Sequence, residues 1–255
     1  MCGRYASTRP VADLARAFDV RDDRTDPQLP ADYNMAPTKR APVIIAQPPR
    51  EDRDAPAERQ VRNLTWGLVP SWAKDRAIGS RMINARAETV AEKPSYRRAF
   101  SSRRALVPVD GFYEWLPTER IGKGGKPLKQ PYFIHPADPE EPLALAGIFE
   151  YWHDDHAEDG TDPWLVTYAV ITTTATDDVG RVHDRMPMAV TAEHWEAWLD
   201  PATDAATAQD LMAAPELGSL DMYAISTLVN NVRNNGPDLL KPAPEITAET
   251  DAEAT

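Results

Sequence analysis

Prolines punctuate this chain throughout, 24 of them in 255 residues against only 12 glycines. Proline lacks a backbone N–H and holds φ near −65°, so it ends helices and collects at turns and strand edges. A chain interrupted this often builds short elements joined by irregular connections. Between the breaks lie short runs of strand character: Pro42–Ala46, Val61–Val69, Ala105–Trp115, Pro131–His135, Leu143–Trp152, Trp164–Thr174 and Met222–Val229. Val11–Val20 spaces its apolar groups at helical intervals. Thr191–Asp200 reads as a helix with Thr191 as its N-cap, and Ala202–Ala213 as a second one. The expected fold is α+β, a mainly antiparallel, barrel-like β-sheet core with flanking helices. No repeat or linker divides the chain, so residues 2–240 are expected to form a single domain. The acidic Pro/Ala/Thr/Glu segment 241–255 is expected to be a disordered tail.

A 42% apolar content is enough for a buried core. One cysteine excludes an intramolecular disulfide framework and any cysteine-rich zinc site. No run approaches the ~18 to 20 apolar residues of a membrane span, and the N-terminus lacks the apolar core of a signal peptide. The expectation is a cytoplasmic protein with no membrane partner and no metal; a WHDDH stretch at His153 and His156 lies in an acidic loop. No cofactor is called for, and a monomer is expected. The net charge of −12 argues against a polyanion partner only if it is spread evenly. It is not. Residues 1–120 carry 21 Lys/Arg against 16 Asp/Glu, and residues 121–255 carry 7 against 24. Between Arg62 and Arg104 there are 10 basic and 3 acidic residues. That block, which includes Arg97, Arg98, Arg103 and Arg104, suits either a solvated face or a phosphate-binding one.

The lone cysteine is residue 2, so loss of Met1 would leave an α-amine and a thiol on adjacent carbons. An α-amine titrates near ~7.7–8.0 and is partly neutral at physiological pH. Such an amine attacks an aldehyde to form a Schiff base, and the neighbouring thiol can close a thiazolidine ring. The same terminus also suits an amidohydrolase, in which the amine is the base and the thiol attacks an amide. In a plain DNA-binding module the cysteine would be incidental.

Several separated motifs bear on this choice. They are Met1-Cys2-Gly3-Arg4-Tyr5, Tyr33-Asn34-Met35-Ala36-Pro37-Thr38, Trp66-Gly67-Leu68-Val69-Pro70-Ser71-Trp72-Ala73, Ile83-Asn84-Ala85-Arg86-Ala87-Glu88-Thr89, Gly111-Phe112-Tyr113-Glu114-Trp115 and His183-Asp184-Arg185-Met186-Pro187. Together, in this order, they resemble the SOS-response-associated peptidase (SRAP) family of abasic-site processing proteins, from residue 2 to about residue 237. The resemblance implies binding of single-stranded DNA with an abasic site and a covalent thiazolidine at Cys2. It also implies exposure of Cys2 by removal of Met1, either by self-cleavage, an auto-peptidase step, or by an ordinary aminopeptidase, and a lyase activity.

Glu114 lies in a strand where alternation puts Phe112 and Glu114 on one face and Tyr113 and Trp115 on the other. A glutamate among aromatics is expected to be part-buried, with a raised pKa suited to acid–base work; a cross-strand salt bridge is the alternative. The resemblance implies that Glu114 moves protons during ring opening and Schiff-base formation. It likewise implies that His183 relays protons and that Asn84 orients the sugar or the Cys2 amine. A backbone-bonded loop histidine and a turn-forming asparagine are the structural alternatives. Asn34 reads as a backbone-capping turn residue. Arg4, Arg86 and Arg185 are expected on the phosphates, and Trp66, Trp72 and Trp115 against bases, although tryptophans in strands also build cores.

Overall fold

The computed structural model describes residues 2–25, 27–49, 51–122, 124–138, 143–158, 160–175, 179–212 and 220–247. Among these residues the strands are β1 (Tyr5–Ser7), β2 (Asp22–Arg24), β3 (Asp32–Met35), β4 (Arg40–Gln47), β5 (Glu58–Trp66), β6 (Asn84–Arg86), β7 (Arg104–Val109), β8 (Gly111–Ile121), β9 (Pro127–Pro136), β10 (Leu143–His153), β11 (Trp164–Thr174), β12 (Arg185–Pro187) and β13 (Leu220–Ala224). The helices are short, as the prolines require: α1 (Val11–Ala17), α2 (Arg97–Ser102), α3 (Val179–Val182), α4 (Trp195–Leu199) and α5 (Ala205–Leu211). None among the described residues is long and apolar enough to cross a membrane.

Strands β11, β10, β7, β4 and β5 pair in that order, and β5 returns to β11 in parallel at Thr167↔Thr65 and Tyr168↔Trp66. This closes a five-stranded barrel. Alternation sorts its side chains. Ile44, Leu106, Ala146, Ile148 and Ile171 pack beneath residues of α1, α2, α4 and α5, which places them on the outer wall. Val43, Ile45, Leu64, Trp66, Val107, Leu145, Tyr168 and Val170 face the other way and share one cluster with Cys2 and Tyr5. The second sheet runs β13-β9-β8-β1-β3 and packs against the barrel through Tyr5, Met35, Phe112 and Ile134.

Three local expectations change. The run Ala105–Trp115 is two strands in different sheets, broken at Asp110. Asp110 accepts from the Thr8 amide at 2.7 Å and from Arg9 Nε at 3.3 Å, pinning the end of β1 at the point where the chain crosses between sheets. Thr191 makes no side-chain cap: its hydroxyl turns to Glu193, and a 3₁₀ turn over Ala192–His194 leads into α4. In the run Met222–Val229, β13 ends at Ala224, Ile225 makes one isolated bridge to Pro242, and the run closes in a 3₁₀ turn over Thr227–Asn230. The acidic C-terminal segment continues against β9 as far as it is described. There Ile246 N donates to Gln130 Oε1 at 2.8 Å and Tyr132 donates to Glu245 at 2.8 Å. Residues 248–255 of the expected tail lie outside the described residues.

Candidate active site

Cys2 is fully buried just ahead of β1. Pairing of Tyr5 with Phe112 runs β1 antiparallel to β8 and brings Glu114 beside the start of the chain. On the other flank, β6 adds in parallel to β11 with Asn84 opposite Val170. Asn84 Nδ2 then donates to the Cys2 carbonyl at 2.8 Å, and Tyr96 Oη donates to the Asn84 carbonyl at 3.1 Å. Asn84 Oδ1 is buried and has no hydrogen-bond partner among the described residues.

The path that delivers β6 depends on two glycines. Gly67 has φ of 122°, and a Cβ there would stand 2.6 Å from the Gly79 carbonyl oxygen. A Cβ on Gly79 would stand 2.5 Å from the Gly67 carbonyl oxygen. Only two bare backbones can pass this closely. Leu68 N donates to Met82 O beside the crossing, which sets the loop that ends at Asn84.

Glu114 is 3% exposed and faces the barrel side, with Tyr113 and Trp115 on the opposite face as alternation requires. Burial pushes its carboxyl up to about 7, with the Asp184 charge adding and Lys129 opposing. Burial also pushes the Cys2 thiol well above its ordinary value, and the Glu114 charge adds to this. His183 follows α3, which lies against β8; Val182 packs on Tyr132. Burial pulls its imidazole below the ordinary range, and the same Lys129 and Asp184 act on it. The Arg185 amide donates to His183 Nδ1 at 2.9 Å. Asp184 Oδ1 stands 2.8 Å from that same Nδ1, so a proton on Nδ1 would be shared with the carboxylate. Cys2, Asn84, Glu114 and His183 thus converge from four separate chain segments.

A carboxyl whose pKa rises on folding binds its proton more tightly in the folded state. Stability is therefore full below the ordinary 4.5 and falls as pH rises through about 7. The difference corresponds to about 3 kcal/mol. Glu114→Gln protein is expected to match the wild type in urea unfolding near pH 4 and to exceed it above pH 7. An equal pH dependence in the two proteins would show that Glu114 is not held as described.

The expected DNA-facing set divides. Arg86 is exposed at the end of β6, and Trp72 is 58% exposed in the loop after β5. Arg185 is held bidentately by Glu88. Arg4 is half-buried: its guanidinium donates to Asn34 Oδ1 at 2.6 Å and to the Val229 carbonyl at 2.9 Å, and lies 5.7 Å over the Trp115 ring. Trp115 donates to Asn230 Oδ1 at 2.7 Å. Trp66 corrects the expectation outright. It is fully buried against Tyr5 and Tyr168, donates to the Ile83 carbonyl at 2.9 Å, and offers no surface to a base. The barrel interior takes it because closure at Trp66↔Tyr168 turns its face inward.

The backbone-capping role read for Asn34 holds, but from within β3 rather than a turn, and for distant carbonyls. Fully buried, Asn34 donates to the carbonyls of Val229, Asn231 and Asn234, each at 3.1 Å, while accepting from Arg4. One amide thereby ties the segment after β13 to β3 and to Arg4, just ahead of β1. Burial of its partners was not visible locally, although the asparagine-rich Val232-Arg233-Asn234-Asn235 stretch hinted at backbone capping. Tyr96, Lys129, Asp184 and Glu88 were missed; Asp184 stands beside His183 in the sequence, and the others reach the site through tertiary packing.

The sequence model described as SOS response associated peptidase (SRAP) matches residues 1–232. Abasic site processing protein YoqW of Bacillus subtilis (strain 168) is 33% identical over 242 residues, covering 94% of this chain and 99% of YoqW. Abasic site processing protein HMCES of Gallus gallus is 34% identical over 274 residues, covering 95% of this chain and 78% of that protein. A crystal structure of a Bacteroides thetaiotaomicron protein superposes with a TM-score of 0.74 at 26% identity, covering 95% of this chain and all of that one. With its motifs in order and the match running from residue 1 through the last of the paired strands, the chain belongs to the SOS response associated peptidase (SRAP) family.

Proposed function

We propose that this chain processes abasic sites in single-stranded DNA by capturing the sugar aldehyde as a thiazolidine on Cys2. The observation that carries the reading is the position of Cys2, second in the chain, between a carboxyl of pKa about 7 and an amide that holds its carbonyl. The relatives named above as abasic site processing proteins support it. Hydrolysis of the Met1–Cys2 bond consumes one water and frees the amine, by self-cleavage or by an aminopeptidase. The neutral amine adds to the C1′ aldehyde of the ring-opened sugar, and loss of water leaves an imine. The thiol then adds to the imine carbon, its proton passing to the nitrogen, and the ring closes.

Because burial disfavours the thiolate, the amine attacks first and the sulfur second. Glu114 exchanges protons near neutral pH, taking one from the attacking amine and returning it to the departing water. His183, whose burial keeps the imidazole neutral near physiological pH, serves ring opening. Asn84 fixes the Cys2 backbone and keeps Oδ1 available to the freed amine. A possible lyase outcome would branch from the same imine.

Wild-type protein incubated with an abasic single-stranded oligonucleotide is expected to give a heat-stable band. Its mass should equal protein lacking Met1 plus oligonucleotide minus one water. Amide turnover without such a band would favour the amidohydrolase; a shift only on native gels would leave a binding module. Along the DNA path, Arg86→Ala is expected to flatten the dependence of log affinity on log salt by about 0.7, the contribution of one single-strand phosphate. A slope equal to that of the parent protein would take Arg86 off the path.

A further inference from the structure

We infer that Glu88 is a built-in counter-anion that holds the phosphate-binding place on Arg185 in the free protein and so keeps undamaged single-stranded DNA weakly bound. The inference rests on the proposed DNA reading above and names a specificity determinant of that site. Glu88 Oε1 lies 2.5 Å from Arg185 Nη1, and Glu88 Oε2 lies 3.0 Å from Nη2. This fork-to-fork arrangement is the one a phosphate adopts on arginine. Arg185 Nη2 is also anchored to the Thr172 carbonyl at 2.5 Å, so the guanidinium is fixed in place whatever anion sits on its open edge. Its side chain is only 13% exposed, whereas that of Glu88 is 47% exposed, so the movable member of the pair is the carboxylate.

The place is also next to the reacting groups. The Arg185 backbone amide holds His183 Nδ1, and β6 carries Arg86 and Asn84 on the strand that leads into Glu88. Arg185 and, more weakly, Arg86 both hold the Glu88 carboxyl below its ordinary value, which marks it as lying in the field of both cations. A DNA phosphate entering there exchanges with a carboxylate rather than with water and salt ions. Every strand, damaged or not, must make that exchange. Only an abasic strand then becomes covalently fixed, so a penalty on non-covalent binding falls on undamaged DNA and leaves the captured lesion in place. A half-exposed ion pair contributes at most about a few-fold in affinity, which sets the size of the effect.

The test uses full-length protein and an undamaged single-stranded oligonucleotide, in a Cys2→Ala background to prevent crosslinking. Glu88→Gln keeps the shape and a hydrogen-bond acceptor for Arg185 while removing the charge. It is expected to tighten binding about 3- to 5-fold by fluorescence anisotropy and to steepen the salt slope toward one additional phosphate, about 0.7. In an Arg185→Ala background the same change should lose most of its effect. With Cys2 intact, undamaged oligonucleotide should compete better against adduct formation by Glu88→Gln than by wild type. Equal or weaker binding by Glu88→Gln, or an undiminished gain without Arg185, would overturn the role given to Glu88. Absence of any adduct with the wild-type chain would instead overturn the thiazolidine reading, so the two failures are distinguishable.

Discussion

Cys2→Ala protein mixed with an abasic single-stranded oligonucleotide is expected to form no heat-stable adduct, while its non-covalent affinity stays close to wild type. The thiol is buried and small, so its loss removes little surface that DNA could touch. What disappears is the second nucleophile: the α-amine of the variant's first residue still reaches the aldehyde, but the imine it forms hydrolyses. Borohydride should therefore trap a complex with Cys2→Ala that does not survive heating untreated. Cys2→Ser should behave similarly, since a hydroxyl closes the five-membered ring far less favourably. A heat-stable adduct from Cys2→Ala without reductant would refute ring closure by sulfur.

The largest effect on stability is expected at Arg104, which is 2% exposed inside the fold. Its Nε donates to the Trp198 carbonyl at 2.7 Å, and Nη1 to Phe100 and Ser101 at 2.8 and 2.9 Å. Nη2 reaches the carbonyls of Asp200 and Thr203. Four of these carbonyls sit at the C-terminal ends of α2 and α4, where carbonyls have no partner within their own helices, and the fifth, that of Thr203, lies in the turn after α4. One planar cation satisfies both ends, aided by the negative poles of the two helices. Arg104→Leu removes the donor from five carbonyls, of which, among the described residues, only that of Asp200 keeps another, the Thr203 amide at 3.1 Å, and each that stays dry and unpaired costs about 1–3 kcal/mol. Allowing for rehydration of the outer ones, the loss should be about 4 kcal/mol by urea unfolding. Arg104→Lys, with three donors on a flexible stem, should recover only part of it. A Leu variant that unfolds at the wild-type urea concentration would show that the carbonyls find other partners.

Arg104 also shows where local reading fails. In the sequence it belongs to a run of arginines that looks like one basic surface. Its neighbour Arg103 pairs with Glu150 at 2.7 Å, and only Arg97 and Arg98 of the four remain exposed. Charge counts along a chain do not know which side chains the next helix will cover. Trp66 fails for the same reason: a tryptophan in an alternating strand can face either way until closure of the barrel decides the inward face.

What the sequence determined by itself is the material of the fold and the chemistry of its first residues. Its prolines set short helices and frequent turns, its period-two apolar runs set strands, and a cysteine at position 2 carries the amine–thiol pair wherever it is placed. Those properties depend on covalent structure and nearest neighbours. The tertiary structure decided which strands pair, and therefore what surrounds Cys2. Parallel closure of β5 on β11, the break at Asp110 that sends β8 into the second sheet, and the Gly67–Gly79 crossing bring residues 2, 84, 114 and 183 together. The rise of the Glu114 carboxyl to about 7 and the occupation of Arg185 by Glu88 follow from that assembly. Desolvation and ion pairing act through space over a few ångströms, and no spacing along the chain encodes distances between segments so far apart in it.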